Sequence, residues 1–189
     1  MKIGFLKDSE PRVSITPSTL EKYIALNHDI FIEKNAGILS GFSDSDYVNA
    51  ELSSRNNIYD NCDIIVSVNS SSIVSFNGLK NKSIISNFSM NPDKQNLSKE
   101  LNKINITAYD LSMIPRTTIA QSMDILSSMA GLSGYKSIIK AAELIPKIFP
   151  MTITAAGSIK PVKVVVLGAG VAGLQAIATA KRLGAIVEA

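Results

Sequence analysis

Short runs of β-branched and aliphatic residues alternate with polar, helix-forming stretches along most of this chain, and Gly, Asn, Ser or Pro marks the changes. Ile3-Gly4-Phe5-Leu6 predicts a short buried strand. Thr16-Pro17-Ser18 then signals a helix over 17–25, with Thr16 as N-cap and Pro17 at the first helical position. A second strand is predicted over 29–33, a loop carries Gly37 and Gly41, and 44–53 reads as another short helix. Residues 63–68 and 83–86 read as buried parallel strands, 92–103 as a helix and 104–109 as a further strand. This alternation predicts an α/β architecture, with a first domain over 1–115 built on a parallel sheet.

From 118 to about 145 the apolar residues fall at helical spacing, with Ile119, Met123, Leu126 and Ala130 on one side, which predicts a long helix in one or two pieces. Gly131 and Gly134 each cost such a helix about 1 kcal/mol relative to Ala, so they imply close approach of another backbone. Residues 116–150 form a link. A β-branched strand over 162–167 then runs directly into Gly168-Ala169-Gly170-Val171-Ala172-Gly173, followed by a helix over 174–183, Gly184 as its cap, and the start of another strand. Residues 151–189 thus read as the first β-α-β of a Rossmann dinucleotide-binding domain, incomplete at Ala189.

The glycine spacing has a chemistry of its own. Gly168 permits the tight turn, Gly170 lets a pyrophosphate approach the backbone, and Gly173 lets helix and strand pack closely. Free N–H groups at the helix N-terminus attract phosphate charge, and Val171 and Ala172 of the turn join the glycines as cofactor-binding residues. A Walker-type loop is excluded, because Gly173 is followed by Leu174 and Gln175 rather than by Lys and Ser or Thr. An acid for the ribose hydroxyls belongs about 20 residues on. Glu188 has that distance but a mid-strand position, so the acid is expected just beyond Ala189 and the chain reads as a truncated product.

Composition narrows the function classes. The 189 residues are 46% hydrophobic and 19% charged, as in a globular protein with a sizeable core. Net charge is +3 with scattered basic residues, which argues against nucleic acid as a partner. Cys62 is the sole cysteine and His28 the sole histidine. No intramolecular disulfide, Cys-based metal cage or nucleophile–base pair can be assembled from them, and no metal is expected. Cys62 reads as a small half-buried residue and His28 as a solvated loop residue. Met1-Lys2 precedes too short an apolar run for a signal peptide, and the uncharged window 164–180 reads as strand, turn and helix. A cytoplasmic chain without a transmembrane segment is expected.

Arg116, Gln121, Asp124 and Ser127 gather a cation, an amide, a carboxylate and a hydroxyl before and along the start of the long helix. Positions 121, 124 and 127 share one helix side within an arc of about 120°, and Arg116 can fold back onto Asp124. Spacing alone is also satisfied by helix capping and a solvated polar face.

The stretch from Pro115-Arg116 through Gln121-Ser122-Met123-Asp124-Ile125-Leu126-Ser127-Ser128 to Gly134-Tyr135 resembles the NAD(H)-binding alpha subunit of proton-translocating NAD(P) transhydrogenase. Thr154-Ala155-Ala156-Gly157 and residues 168–185 share the resemblance, which covers essentially the whole chain and is strongest from Tyr109 onward. It implies that Arg116, Gln121, Asp124 and Ser127 contact the nicotinamide and its ribose, while Gly168, Gly170, Val171, Ala172 and Gly173 hold the pyrophosphate. It implies direct hydride transfer from NADH to NADP+, the NADP(H) being held by a partner beta subunit, coupled to proton translocation and with no catalytic acid or base. A membrane domain as further partner, a homodimer of the NAD-binding part and a place peripheral to the inner membrane are implied too. Alanine dehydrogenases resemble the chain as well, and Arg12 in Arg12-Val13-Ser14-Ile15-Thr16-Pro17 fits both families. Their substrate Lys and His would fall near Ser67 and Phe88, which leaves amino-acid oxidation without evident machinery. An inactive truncated product is the third reading.

Overall fold

The structure, a computed structural model, describes residues 1–73, 75–89 and 93–189. The chain forms two compact units, Met1–Ile114 and Pro115–Ala189.

In the first unit six strands make one sheet: β1 (Lys2–Phe5), β2 (Asp29–Glu33), β3 (Glu51–Ser53), β4 (Ile64–Asn69), β5 (Ser83–Asn87) and β6 (Thr107–Asp110). Every neighbouring pair is parallel, in the order β3-β2-β1-β4-β5-β6. That is a doubly wound order, with its switch point between β1 and β4. Strands β1 and β2 are buried on both faces and apolar on both sides, whereas edge strand β6 stays exposed. Ile3, Phe5, Ile30 and Ile32 enter one core cluster, while Phe31 and Ile65 enter the other. Helix α1 (Pro17–Ala25) covers the first face through Leu20. Helices α2 (Arg55–Asn61) and α3 (Lys94–Lys103) cover the second through Ile58, Leu97 and Leu101.

The start of α1 follows from its sequence. Thr16 Oγ1 accepts from the Thr19 amide at 3.3 Å, and Thr19 Oγ1 accepts from the Thr16 amide at 2.8 Å, a reciprocal capping box. Two readings need correction in this unit, and one helix is missing from them. The helix expected over 44–53 is only a 3₁₀ turn, Asp44–Asp46; Asn49 at φ 68° then turns the chain into edge strand β3. Helix α2 is not evident in the sequence pattern. Its contacts explain it: a Cβ on Gly4 would lie 2.3 Å from Ile58 Cγ2, so α2 rests directly on β1 where β1 has no side chain. Strand β6 starts three residues later than expected, because residues 104–106 close α3. Asn105, at φ 56°, donates its N–H to the Asn102 carbonyl, and the Ile106 N–H bonds the Leu101 carbonyl, as in a Schellman motif. Pro92, the expected start of α3, lies outside the described residues.

The second unit contains α4 (Ile125–Leu144), a hairpin of β7 (Thr152–Thr154) and β8 (Gly157–Ile159), and then β9 (Lys163–Val165), α5 (Val171–Arg182) and β10 (Ile186–Glu188). Strands β9 and β10 pair in parallel, with Val164 opposite Val187. Ile138, Phe149, Ala176 and Ala180 form the core between the helices and these strands. Helix α5 starts at Val171, three residues earlier than predicted, and ends in a Schellman motif around Gly184 at φ 88°. The hairpin is not evident from the sequence. Helix α4 begins seven residues after the predicted start, because Asp124 caps it there. Among the described residues no helix is long and apolar enough to cross a membrane.

Candidate functional site

Two features of the second unit carry the candidate chemistry. The first is the turn between β9 and α5. Gly168 sits at φ 103°, in the left-handed region that side chains avoid. A Cβ on Gly173 would stand 1.8 Å from the Gly168 carbonyl oxygen, so the helix start and the turn touch backbone to backbone. At Gly170 a Cβ would meet nothing within 4 Å. Here the glycine is not demanded by the fold, and the open space suits a ligand that approaches the main chain.

Gly170 is also the N-cap of α5, and no side chain caps that end. The first N–H groups of a helix have no partner within it. Those of Val171, Ala172 and Gly173 therefore face the turn beside the positive end of a twelve-residue helix, without an acidic residue in its first turn. A phosphate or pyrophosphate fits this donor set. Lys163 and Glu188, one on each strand, pair with each other at 2.7 Å on the surface.

The second feature is the N-terminus of α4. Asp124 is 5% exposed; its Oδ1 accepts the amides of Leu126 at 2.9 Å and Ser127 at 3.1 Å, and its Oδ2 accepts the Ser127 hydroxyl at 2.6 Å. The Ser127 hydroxyl, then its amide, hold the Asp124 carboxyl below the ordinary carboxylate range; burial opposes them, and the Leu126 amide and Arg116 add to the lowering. Arg116 Nε lies 3.8 Å from Asp124 Oδ2, with the guanidinium largely exposed. Gln121 is exposed in a 3₁₀ turn, Gln121–Met123, ahead of the helix.

Residues 121, 124 and 127 thus do not line one face of α4. A three-residue period suits a 3₁₀ turn as well as an α-helix, and Asp124 breaks the two apart by taking extended backbone as N-cap. Capping accounts for Asp124 and Ser127 structurally. It does not account for Arg116 and Gln121, which stay at the surface.

Cys62 is fully buried rather than half-buried, and burial pushes its thiol up to about 11, with Lys82 opposing. No group of His, Cys, Asp and Glu among the described residues is arranged to hold a metal ion. Ser67 is buried on β4, its Oγ 2.9 Å from that of Ser86, and Phe88 is part of the core. Arg12 pairs with Glu10.

A buried polar network at the carboxyl ends of β1, β2 and β4 escapes a reading of the sequence. Asp8 accepts the amides of Val68 and Asn69 and the Ser72 hydroxyl, and Arg55 joins Glu33 to the carbonyls of Lys7 and Ser72. The available signal is the charged run Lys7-Asp8-Ser9-Glu10 directly after a buried strand.

Comparison with known proteins agrees with this architecture. Residues 6–133 match the model of the alanine dehydrogenase/PNT N-terminal domain, and residues 137–189 match that of the C-terminal domain. An NAD(P) transhydrogenase subunit alpha protein of Rickettsia prowazekii is 41% identical over 99% of this chain and 51% of its own length. The crystal structure of transhydrogenase from Sinorhizobium meliloti superimposes with a TM-score of 0.88 at 34% identity, covering 99% of this chain and 57% of that one. An L-alanine dehydrogenase structure gives 0.81 at 26% identity, covering 98% and 53%. The chain spans about half the length of the curated transhydrogenase relative. With both domain models matched in order along its length, the chain belongs to the alanine dehydrogenase/PNT family.

Proposed function

We propose that this chain is the NAD(H)-binding part of a proton-translocating NAD(P) transhydrogenase, in which hydride passes directly from NADH to NADP+ on a partner beta subunit. The observation that carries the reading is the uncapped N-terminus of α5 behind an open Gly170. The names of the relatives at 41% and 34% identity support the transhydrogenase assignment. NAD(H) supplies the transferable hydride. The N–H groups of Val171, Ala172 and Gly173 bind the pyrophosphate, and Gly168 and Gly170 give it room. Arg116 and Gln121, exposed beside the Asp124–Ser127 cap, orient the nicotinamide and its ribose. Hydride transfer between two such rings needs no general acid or base, so the residues act by positioning and by keeping water out. In the same reading the chain works as a homodimer, on the cytoplasmic side, held to the membrane through its beta subunit and membrane domain.

Alanine dehydrogenase activity is the rival supported by the family match and by Arg12. Ser67 and Phe88 stand against it, since neither can hold a carboxylate or move a proton where they are buried. Calorimetric titration with NADH, with alanine and NAD assayed in parallel, tests both. Micromolar NADH affinity without alanine-dependent NAD reduction is expected. Absence of NADH binding would favour an inactive product, and alanine-dependent reduction would favour the rival.

A further inference from the structure

Gly134 lies buried in the middle of α4, ten residues beyond the Asp124 cap. A Cβ there would stand 2.1 Å from the carbonyl oxygen of Ala172, 2.9 Å from its carbonyl carbon and 3.1 Å from its Cα. All three are backbone atoms of the first turn of α5, next to Gly173. No side-chain rotation can relieve such a contact, so any residue other than glycine must push the two helices apart. Gly131, one turn earlier, makes an informative contrast. A Cβ at that position would meet only Val171 Cγ1, at an ordinary 3.8 Å. Both glycines weaken the helix, yet only Gly134 is required by the packing.

We infer that Gly134 is a positioning residue: its contact with Ala172 sets the spacing between the Arg116–Asp124–Ser127 cluster and the glycine turn, so that one dinucleotide reaches both. This rests on the nicotinamide-nucleotide reading above. Helix α4 is a rigid rod, and its cap lies about 15 Å along the axis from Gly134. Whatever moves α4 at the crossing moves the cap with it. The pyrophosphate donors belong to α5 and the turn, whereas the nicotinamide cluster is tied to α4 through Ser127, the Asp124 cap and the Arg116–Asp124 ion pair. A change in the crossing therefore separates the two halves of the site without deleting a group from either.

The test compares NADH with ADP-ribose, which has the pyrophosphate but no nicotinamide, by calorimetry on the wild-type chain, Gly131→Ala and Gly134→Ala. NADH fluorescence reports the surroundings of the reduced ring. Gly131→Ala should bind both ligands within about twofold of wild type, while Gly134→Ala should keep ADP-ribose within about threefold but lose about tenfold or more in NADH. The change in NADH emission on binding should shrink with it. A third variant keeps the test valid if Gly134→Ala does not fold. One alanine inserted after Ser128 preserves the Gly134–Ala172 contact but displaces the cap by about 1.5 Å and about 100°. It should show the same selective loss. Equal weakening of both ligands in Gly134→Ala or in the insertion variant, or wild-type NADH affinity in either of these two chains, would overturn the inference. A wild-type chain that binds neither ligand would instead overturn the nucleotide reading beneath it.

Discussion

The hydroxyl of Ser127 donates to the Asp124 carboxylate at 2.6 Å, across the first turn of the helix that this carboxylate caps. The bond favours the ionised acid, and it is the foremost cause of the lowered Asp124 pKa. A carboxyl with a folded pKa below its ordinary 3.8 binds a proton more readily when unfolded. Its stabilisation is complete above the ordinary value and is lost as pH falls through the lowered one. Thermal melts of the wild-type chain should show this share of the stability intact from neutral pH to about pH 4 and declining below it. In Ser127→Ala the folded value moves back toward the unfolded one, so the decline attributable to Asp124 should become shallower. An acid limb as steep as in wild type would show that Ser127 does not control this carboxylate.

Asp124→Asn separates capping from chemistry. Asn caps helices about as well as Asp, so the melting temperature near pH 7 should shift by only a few degrees. The charge beside Arg116 is lost, however. In an assembled transhydrogenase carrying this chain, the hydride-transfer rate should fall about tenfold, more than the affinity for NADH. Stopped-flow transfer rates set beside NADH titrations measure the two. Lost affinity with unchanged turnover would remove Asp124 from the reacting end.

Two glycines of one turn should answer differently to the same substitution. Gly173→Ala puts a methyl group 1.8 Å from the Gly168 carbonyl oxygen, and backbone on both sides leaves no easy relief. It should lower the melting temperature by about 5 °C or more. Gly170→Ala fills open space at an ordinary backbone conformation, so its melting temperature should stay near wild type. NADH affinity should nevertheless drop about tenfold, because in the proposed site the methyl group would occupy the approach of the pyrophosphate. Unimpaired NADH binding by Gly170→Ala would sink the assignment of this turn.

These contrasts also explain what the sequence could reveal. Residues 29–33 are legible because Ile30-Phe31-Ile32, buried on both faces, make an uninterrupted apolar run between two acidic residues, and β2 keeps those bounds. The glycine turn is legible because Gly168 and Gly173 answer to backbone geometry, which needs no knowledge of distant contacts. By contrast, Arg55-Asn56-Asn57-Ile58-Tyr59-Asp60-Asn61 has weak helix propensity and becomes α2 through Ile58 on Gly4, a contact across 54 positions. Asp124 is legible as a candidate site residue but not as the helix boundary, since its capping depends on which amides reach it.

Arg55 is the clearest case of a structural role hidden from sequence. Its Nε donates to both Glu33 oxygens at 3.1 Å, its Nη1 to the Ser72 carbonyl at 2.6 Å, and its Nη2 to the Lys7 carbonyl at 2.7 Å. Glu33 in turn accepts the Lys7 amide at 2.7 Å. One guanidinium thereby joins the end of β2 to the chain after β1 and to the turn after β4, on both sides of the switch point. Burial works against its charge, but the hydrogen bond and charge of Glu33, helped by Tyr59 and Asp8, leave its pKa raised. Arg55→Met should strand Glu33 and two carbonyls and cost about 3 kcal/mol, or about 10 °C in melting temperature. Glu33→Gln alone should also destabilise, because it leaves the guanidinium without its anion. In the double variant the amide still accepts from Lys7 and no charge is left without a partner, so the combined loss should be clearly smaller than the sum of the single losses. A full thermodynamic cycle from denaturant melts measures that difference, and strict additivity would show that Arg55 and Glu33 do not depend on each other.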